Sequence, residues 1–132
     1  MHDTLSGTLV GQGVVTSTSP SHGTTSFTAT GYIILPSTFS GHLTYSLNKK
    51  GATRYTGGSA TLTDSLRDQI KVAFTGSGSL AGVTDYTIFI KGPVKGGAGT
   101  FKNAAGTFSG NGEVNYLTRS FTITLTIKLT RL

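Results

Sequence analysis

Few side chains in this chain can do chemistry, and their spacing narrows what remains. His2, His22 and His42 stand twenty residues apart, yet a metal site needs ligands that converge and second-shell partners that orient them. A chain terminus, the turn "SPSHG" and the start of a strand supply neither, so no metal or other cofactor is expected. The chain has no cysteine and no G-x-S-x-G elbow, which removes thiolate chemistry and the triad hydrolases. Glycoside hydrolysis needs two facing carboxylates. Asp64 and Asp68 share the polar turn "DSLRD", which leaves Asp85 with Glu113 as the pair able to meet inside a fold. Capping a turn or pairing with a lysine is the simpler role for each. What remains is a set of tyrosines with polar neighbours: Tyr45, Arg54, Tyr55, Asp85, Tyr86, Glu113, Asn115 and Tyr116. A tyrosine hydroxyl in an apolar setting demands a partner, so such tyrosines bond across the fold or hold a ligand's oxygen. Tyr86, Glu113 and Arg54 are the candidate catalytic groups, the last two as polar or acid–base partners. Tyr45, Tyr86, Tyr116, Phe74 and Ile88 are the candidate ligand-binding set.

Strands must position these residues. In "SFTITLTIKLTRL", Phe121, Ile123, Leu125, Ile127 and Leu129 take one parity, and Thr122, Thr124, Thr126, Lys128 and Thr130 the other. A period of two over a dozen residues is a long strand with one dry face, and the β-branched threonines suit its pleat. The same rhythm runs through "TLSGTLVGQGVVTST", "TTSFTATGYIIL", "GHLTYSL", "ATRYTGGSATLT", "QIKVAFTG", "TDYTIFIKGPV" and "GTFSGNGEVNYL". These segments make about eight strands, joined by short polar turns and with almost no helix signal. If the dry faces turn inward, Tyr45, Tyr86 and Tyr116 line an interior, and Asp85, Glu113 and Asn115 lie outside. The reverse is the alternation of an outer-membrane barrel; the absence of Trp and the lysines Lys71 and Lys91 within strands oppose it.

Strands consecutive in sequence and tightly connected pair as antiparallel neighbours. The expected fold is therefore all-β: a single eight-stranded antiparallel up-and-down β-barrel over residues 1–132, with a two-sheet β-sandwich as the alternative. Closure removes the exposed edges of a sheet. The 19 glycines, many in or beside strands, favour the barrel, because a closing sheet coils strongly and glycine marks bends and close backbone approaches. The formal charge of +6 steers toward anions. The 11 basic residues are scattered, however, with only Lys49 and Lys50 adjacent and no interleaved stacking aromatics, so no nucleic-acid partner is expected. No apolar run approaches a membrane helix. The opening "MHDTLSG" lacks a basic region followed by an apolar one, so no signal peptide is expected there. Heavy use of Thr, Ser and Gly with few charges points to an exported bacterial domain, secreted or in the cell envelope.

The stretch "GGAGTFKNAAGTFSGNGEV" raises the question of a phosphate loop. It has neither G-x-x-x-x-G-K-[ST] nor a G-x-G-x-x-G run that opens a helix, and a strand follows it. Thr100 is expected to cap one short turn through Ala105, with Gly106 ending it left-handed and Phe101 and Phe108 anchoring it. "GPVKGGAGTFKNAAGTFSGNGEV" resembles the strand, G-G-x-G-x-F, x-x-A-x-G, strand pattern of allene oxide cyclases, dirigent proteins and related small secreted bacterial proteins. The resemblance covers about residues 84 to 116. It implies an eight-stranded antiparallel barrel similar to the calycins, a small apolar molecule as ligand, and cyclisation or coupling without metal or organic cofactor. The expected function is binding of a small apolar molecule in the barrel mouth, with a cofactor-free cyclase or isomerase activity implied by the resemblance. The alternative is a non-catalytic extracellular module whose Thr-rich outer face mediates adhesion or assembly into a homo-oligomer.

Overall fold

The alternation read from the last strand sets the architecture. In the computed structural model, which describes residues 3–19, 22–33, 35–47, 52–80, 85–115, 117–118 and 120–131, Ile123, Leu125, Ile127 and Leu129 of β8 (Ser120–Arg131) are all buried, and the residues between them face outward. Seven further strands follow, with the alternation interrupted at a bulge in the fourth: β1 (Asp3–Ser19), β2 (His22–Ile33), β3 (Leu35–Leu47), β4 (Thr53–Asp64), β5 (Gln69–Leu80), β6 (Asp85–Ala98) and β7 (Ala105–Asn115). Each pairs antiparallel with the next, and β1 pairs with β8 from Asp3 opposite Leu129 to Gln12 opposite Ser120. The sheet is a closed barrel in sequence order. That continuous last ladder rules out the two-sheet sandwich, and the inward apolar face is the reverse of a lipid-facing barrel. No helix is long and apolar enough to cross a membrane among the described residues.

Several strands are longer than their sequence signals. β3 begins at Leu35, not at Gly41, because Pro36, Ser37 and Thr38 read locally as a turn. Tertiary pairing overrides that local preference: Pro36 stands opposite Tyr32 and Phe39 opposite Ala29. β5 and β6 likewise run on to Leu80 and Ala98.

The glycines answer to packing. Inward-facing rows alternate a bulky residue with a glycine from strand to strand. One row reads Tyr55, Gly76, Ile90, Gly110, Leu125, Gly7 across β4, β5, β6, β7, β8 and β1. Alternating large and small side chains lets a narrow interior fill without voids. At Gly110 an added Cβ would lie 2.9 Å from Leu125 Cδ2 and 3.0 Å from Ile123 Cδ1, so neighbouring side chains already occupy its space. At Gly76 it would meet the Phe89 carbonyl instead, since β6 itself presses close there.

Four phenylalanines from four strands close the lumen at mid-depth. Phe27, Phe39, Phe108 and Phe74 form a ring of contacts with centroids 5.5, 5.8, 6.0 and 6.2 Å apart in turn, and Phe121 meets Phe27 edge-on at 6.1 Å. Such tilted and edge-on pairs are the preferred aromatic geometries. Phe39, Phe108 and Phe74 retain only 1%, 2% and 4% of their surface. We call the end at which β2, β4, β6 and β8 begin the mouth, and the opposite end the base. At the base, Phe101 packs against the core and Ala104 is buried, so Phe101 and Phe108 anchor the connection as its sequence suggests.

The cap of that connection differs from expectation. The turn Gly99–Phe101 has no side-chain cap of its own. Asp68, from the β4–β5 turn, reaches across and accepts the Thr100 N–H at Oδ1 (3.1 Å) and the Thr100 hydroxyl at Oδ2 (3.2 Å). A carboxylate accepting two donors fixes the turn better than one hydroxyl. Gly106 ends the connection at a positive φ of 152°, and Gly99, with φ of 65°, opens the turn in a left-handed conformation as well.

Candidate functional site

Inward-facing residues near the mouth differ from those beneath them. Phe27, Leu43, Tyr55, Tyr86, Val114 and Phe121 all pack against the core yet keep part of their surface accessible. Below them every inward hydrophobic of the central layers is buried. The phenylalanine ring is thus the floor of a cup, Phe27 stands where floor meets wall, and the other five residues line the wall.

Tyrosine hydroxyls supply the polar points of that wall. Tyr45 and Tyr55 stand directly opposite each other in the β3–β4 ladder, both half-buried on the inner side. Thr53, two residues before Tyr55 on the same face, donates its hydroxyl to the Tyr55 phenolic oxygen at 3.2 Å. Burial pushes the Tyr55 hydroxyl above the usual 10.0, the Thr53 bond draws it back somewhat, and the nearby Tyr86 phenol pushes it further up. The Tyr55 hydroxyl therefore favours its neutral, hydrogen-donating form.

Tyr55 enters the cup because β4 carries a bulge. Gly58, Ala60 and Leu62 point inward at even positions. The registers with both β3 and β5 shift by one between Tyr55 and Gly58, and Gly57 takes φ of 59°, a conformation that costs glycine little. Beyond the bulge the odd positions Thr53 and Tyr55 face inward. Sequence parity alone left Tyr55 without a face; the "GG" pair at Gly57–Gly58 was the signal that could have found it.

The sequence-predicted residues divide accordingly. Tyr45 and Tyr86 face into the cup, and Tyr116 lies outside the described residues. Phe74 belongs to the floor, where its ring fills the space of the Cβ that Gly58 lacks, and Ile88 is buried beneath the tyrosines at 8% exposure. The three candidate catalytic residues are not brought together. Arg54 sits outward on β4, opposite Ser46 and Ser77, and is exposed. Glu113 is exposed on β7, opposite Thr87 and Thr122. Two strands separate them, and both face away from Tyr86 because the parity that turns Tyr86 inward turns them out. Asp85 and Glu113 are diagonal neighbours on that same outer surface, so the glycosidase geometry does not form. Asp64 and Asn115 cap turns instead: Asp64 Oδ1 accepts the N–H groups of Leu66 and Asp68, and Asn115 Oδ1 those of Leu117 and Thr118.

Elsewhere, His42 is exposed on the outer face of β3, and no group of three or more His, Cys, Asp or Glu could hold a metal ion among the described residues. A surface cleft of about 540 Å³ lies near the base between β2, β3 and β4, lined by Tyr32, Pro36, Ser37 and Asp64 among others. Its carboxylate holds the β4–β5 turn and the Ser37 hydroxyl donates to the Leu35 carbonyl, so these two groups serve the fold. No protein-family model, curated protein or solved structure matches the chain, which leaves the cup itself as the basis for a functional reading.

Proposed function

We propose that the protein binds a small apolar molecule carrying one oxygen acceptor in the cup at the barrel mouth. The carrying observation is the partly accessible apolar wall of Phe27, Leu43, Val114 and Phe121, with tyrosine and threonine hydroxyls set among it. Sites for apolar ligands combine such a lining with a few placed polar groups. Tyr55 accepts from Thr53, which leaves its own proton to be donated, and Tyr45 and Tyr86 stand on the same inner surface. The ligand's hydrocarbon rests on the phenylalanine floor and its oxygen takes a phenol hydrogen. Such a ligand is also what the resemblance of residues 84 to 116 to allene oxide cyclases and dirigent proteins implies. A cyclase or isomerase step would need proton transfer, and Arg54 and Glu113 face outward, so the reading stops at binding. A secreted or cell-envelope setting fits a protein of this kind.

Three of the chain's five tyrosines, Tyr45, Tyr55 and Tyr86, face the cup and there is no tryptophan, so much of the tyrosine emission reports on the cup, and Tyr32→Phe removes an emitter outside it. Titration with a homologous series of long-chain alcohols and ketones should quench that emission saturably, and native mass spectrometry should show one bound molecule per chain. Tyr86→Phe should weaken retention by about 1 kcal/mol, one hydrogen bond's worth, without loss of fold. Unquenched emission with every member of the series would sink the reading.

A second reading rests on the outer surface. Thr122, Val10, Thr30, Thr38 and Thr63 form one uncharged outward row across β8, β1, β2, β3 and β4, bounded by Glu113 on the β7 side. An adhesion or self-assembly role for this face predicts association that rises with concentration in ultracentrifugation and is abolished by Thr30→Lys.

A further inference from the structure

The basic residues that look scattered along the chain are gathered by the fold. Lys71 of β5, Lys91 and Lys95 of β6 and Lys128 of β8 all face outward and are exposed, and Lys102 is exposed in the turn below them. The ladders place them close together. The shift between Ile70 and Val72 brings Lys71 beside Lys95, and Thr107 of β7 stands between Pro93 and Lys128. These are five of the chain's 11 basic residues. The outward positions among them are Ala73, Thr75, Pro93, Thr107, Ser109 and Thr126, with no carboxylate. Asp85 and Glu113, the outward acids of β6 and β7, lie toward the mouth. Asp68, at the base, spends its carboxylate on Thr100 beside Lys102, and the outward strand positions of the base half of β5 to β8 therefore form a field of net positive charge.

We propose that this wall docks the protein on an anionic lipid bilayer. Three features select a bilayer over a soluble polyanion. The five outward cations named above are lysines, compact point charges on flexible stems that suit headgroup phosphates in no fixed geometry, whereas base or sulfate recognition at fixed spacing favours the arginine fork. The wall is a convex face of strands with no protruding element to enter a nucleic-acid groove, and it offers no run of aromatics for single-stranded bases to stack on. Phe89, 44% exposed, shares the outer face of β6 with Lys91, and Pro93 lies exposed between Lys91 and Lys95. An exposed aromatic beside lysines can enter the interfacial layer while the charges meet the headgroups. Docking is independent of whether the cup holds a ligand.

The experiment is co-sedimentation of the full chain with vesicles of mixed phosphatidylcholine and phosphatidylglycerol, against vesicles of phosphatidylcholine alone. Binding should require the anionic lipid and fall with added salt. Lys91→Gln and Lys95→Gln should each lower partitioning about fivefold, the weight of one lysine at such a surface. Phe89→Ser should lower it at unchanged charge. Arg54→Gln, which removes the same charge away from the wall, should leave it nearly unchanged. Equal losses for Arg54→Gln and Lys91→Gln would mean that net charge alone drives association and would overturn the proposal. So would tight binding to heparin or single-stranded DNA by a chain that ignores the vesicles.

Discussion

Thr53 and Tyr55 lie two residues apart on one inward face, and the threonine hydroxyl donates to the phenolic oxygen at 3.2 Å. The contact exists because the β4 bulge turns both side chains into the barrel, and it ties the acid–base behaviour of the cup to the stability of the fold. Burial raises the Tyr55 hydroxyl above its unfolded value of 10.0. The unfolded chain therefore releases this proton first as pH rises. The stability tied to the neutral phenol is whole below about pH 10 and is lost as pH climbs through the higher folded value. Tyr55→Phe should flatten this alkaline loss while costing about 1 kcal/mol at neutral pH through the unpaired Thr53 hydroxyl. Urea melts across the alkaline range, with tyrosinate absorbance alongside, check both; an unchanged alkaline slope in the variant would show that Tyr55 does not carry the effect.

The phenylalanine floor should behave as one packed unit. Phe39→Ala and Phe108→Ala each leave a large void among rings that cannot collapse, and each should cost about 3–5 kcal/mol. Since the two rings touch, at 5.8 Å between centroids, the double variant should lose less than the sum of the single losses. Chemical denaturation of the four-member cycle measures the coupling.

Glycines of the same inward row should differ in tolerance. At Gly110 a methyl group meets the ends of Leu125 and Ile123 side chains, which can give way; at Gly76 it meets the Phe89 carbonyl, which cannot without moving β6. Gly110→Ala should cost about 1–3 kcal/mol, the usual range for overpacking, and Gly76→Ala distinctly more. Thermal melts of the two variants rank them.

Asp68 should prove a staple between hairpins. Asp68→Ala removes the acceptor of both the N–H and the hydroxyl of Thr100 and should cost about 1–2 kcal/mol, as loss of a cap does. Gly99→Ala forces a side chain into a left-handed position against the Asp68 carboxylate and should cost at least as much. Hydrogen exchange at the Thr100 amide should accelerate in both variants.

The barrel was legible where the rhythm of two is unbroken. Phe121 to Leu129 announces its inner face without help, and the inward parity of Tyr45 and Tyr86 followed from the same count. What the sequence concealed came from positions where distant contacts outweigh local preference. Pro36 with Ser37 reads as a turn until β2 pairs with it, and Phe39 was hidden in that segment. Tyr55 was hidden because one additional residue at Gly57 inverts the parity of half a strand. Arg54 and Glu113 look adjacent to chemistry in a linear reading, but each sits one residue from an inward side chain and therefore faces out. The lysine wall was illegible for another reason: its members come from three strands and a turn, and only the lateral ladders bring them together.

Closure of β1 against β8 has a consequence for how the molecule is made. The hydroxyls of Thr8 and Thr124 meet at 3.0 Å although 116 positions separate them. β1 therefore waits for β8 to be synthesised before its open side is covered, and until then the nascent sheet carries two sticky flanks. Biogenesis should be slow for the chain's size, and holding chaperones should matter more to its yield than its final stability would suggest.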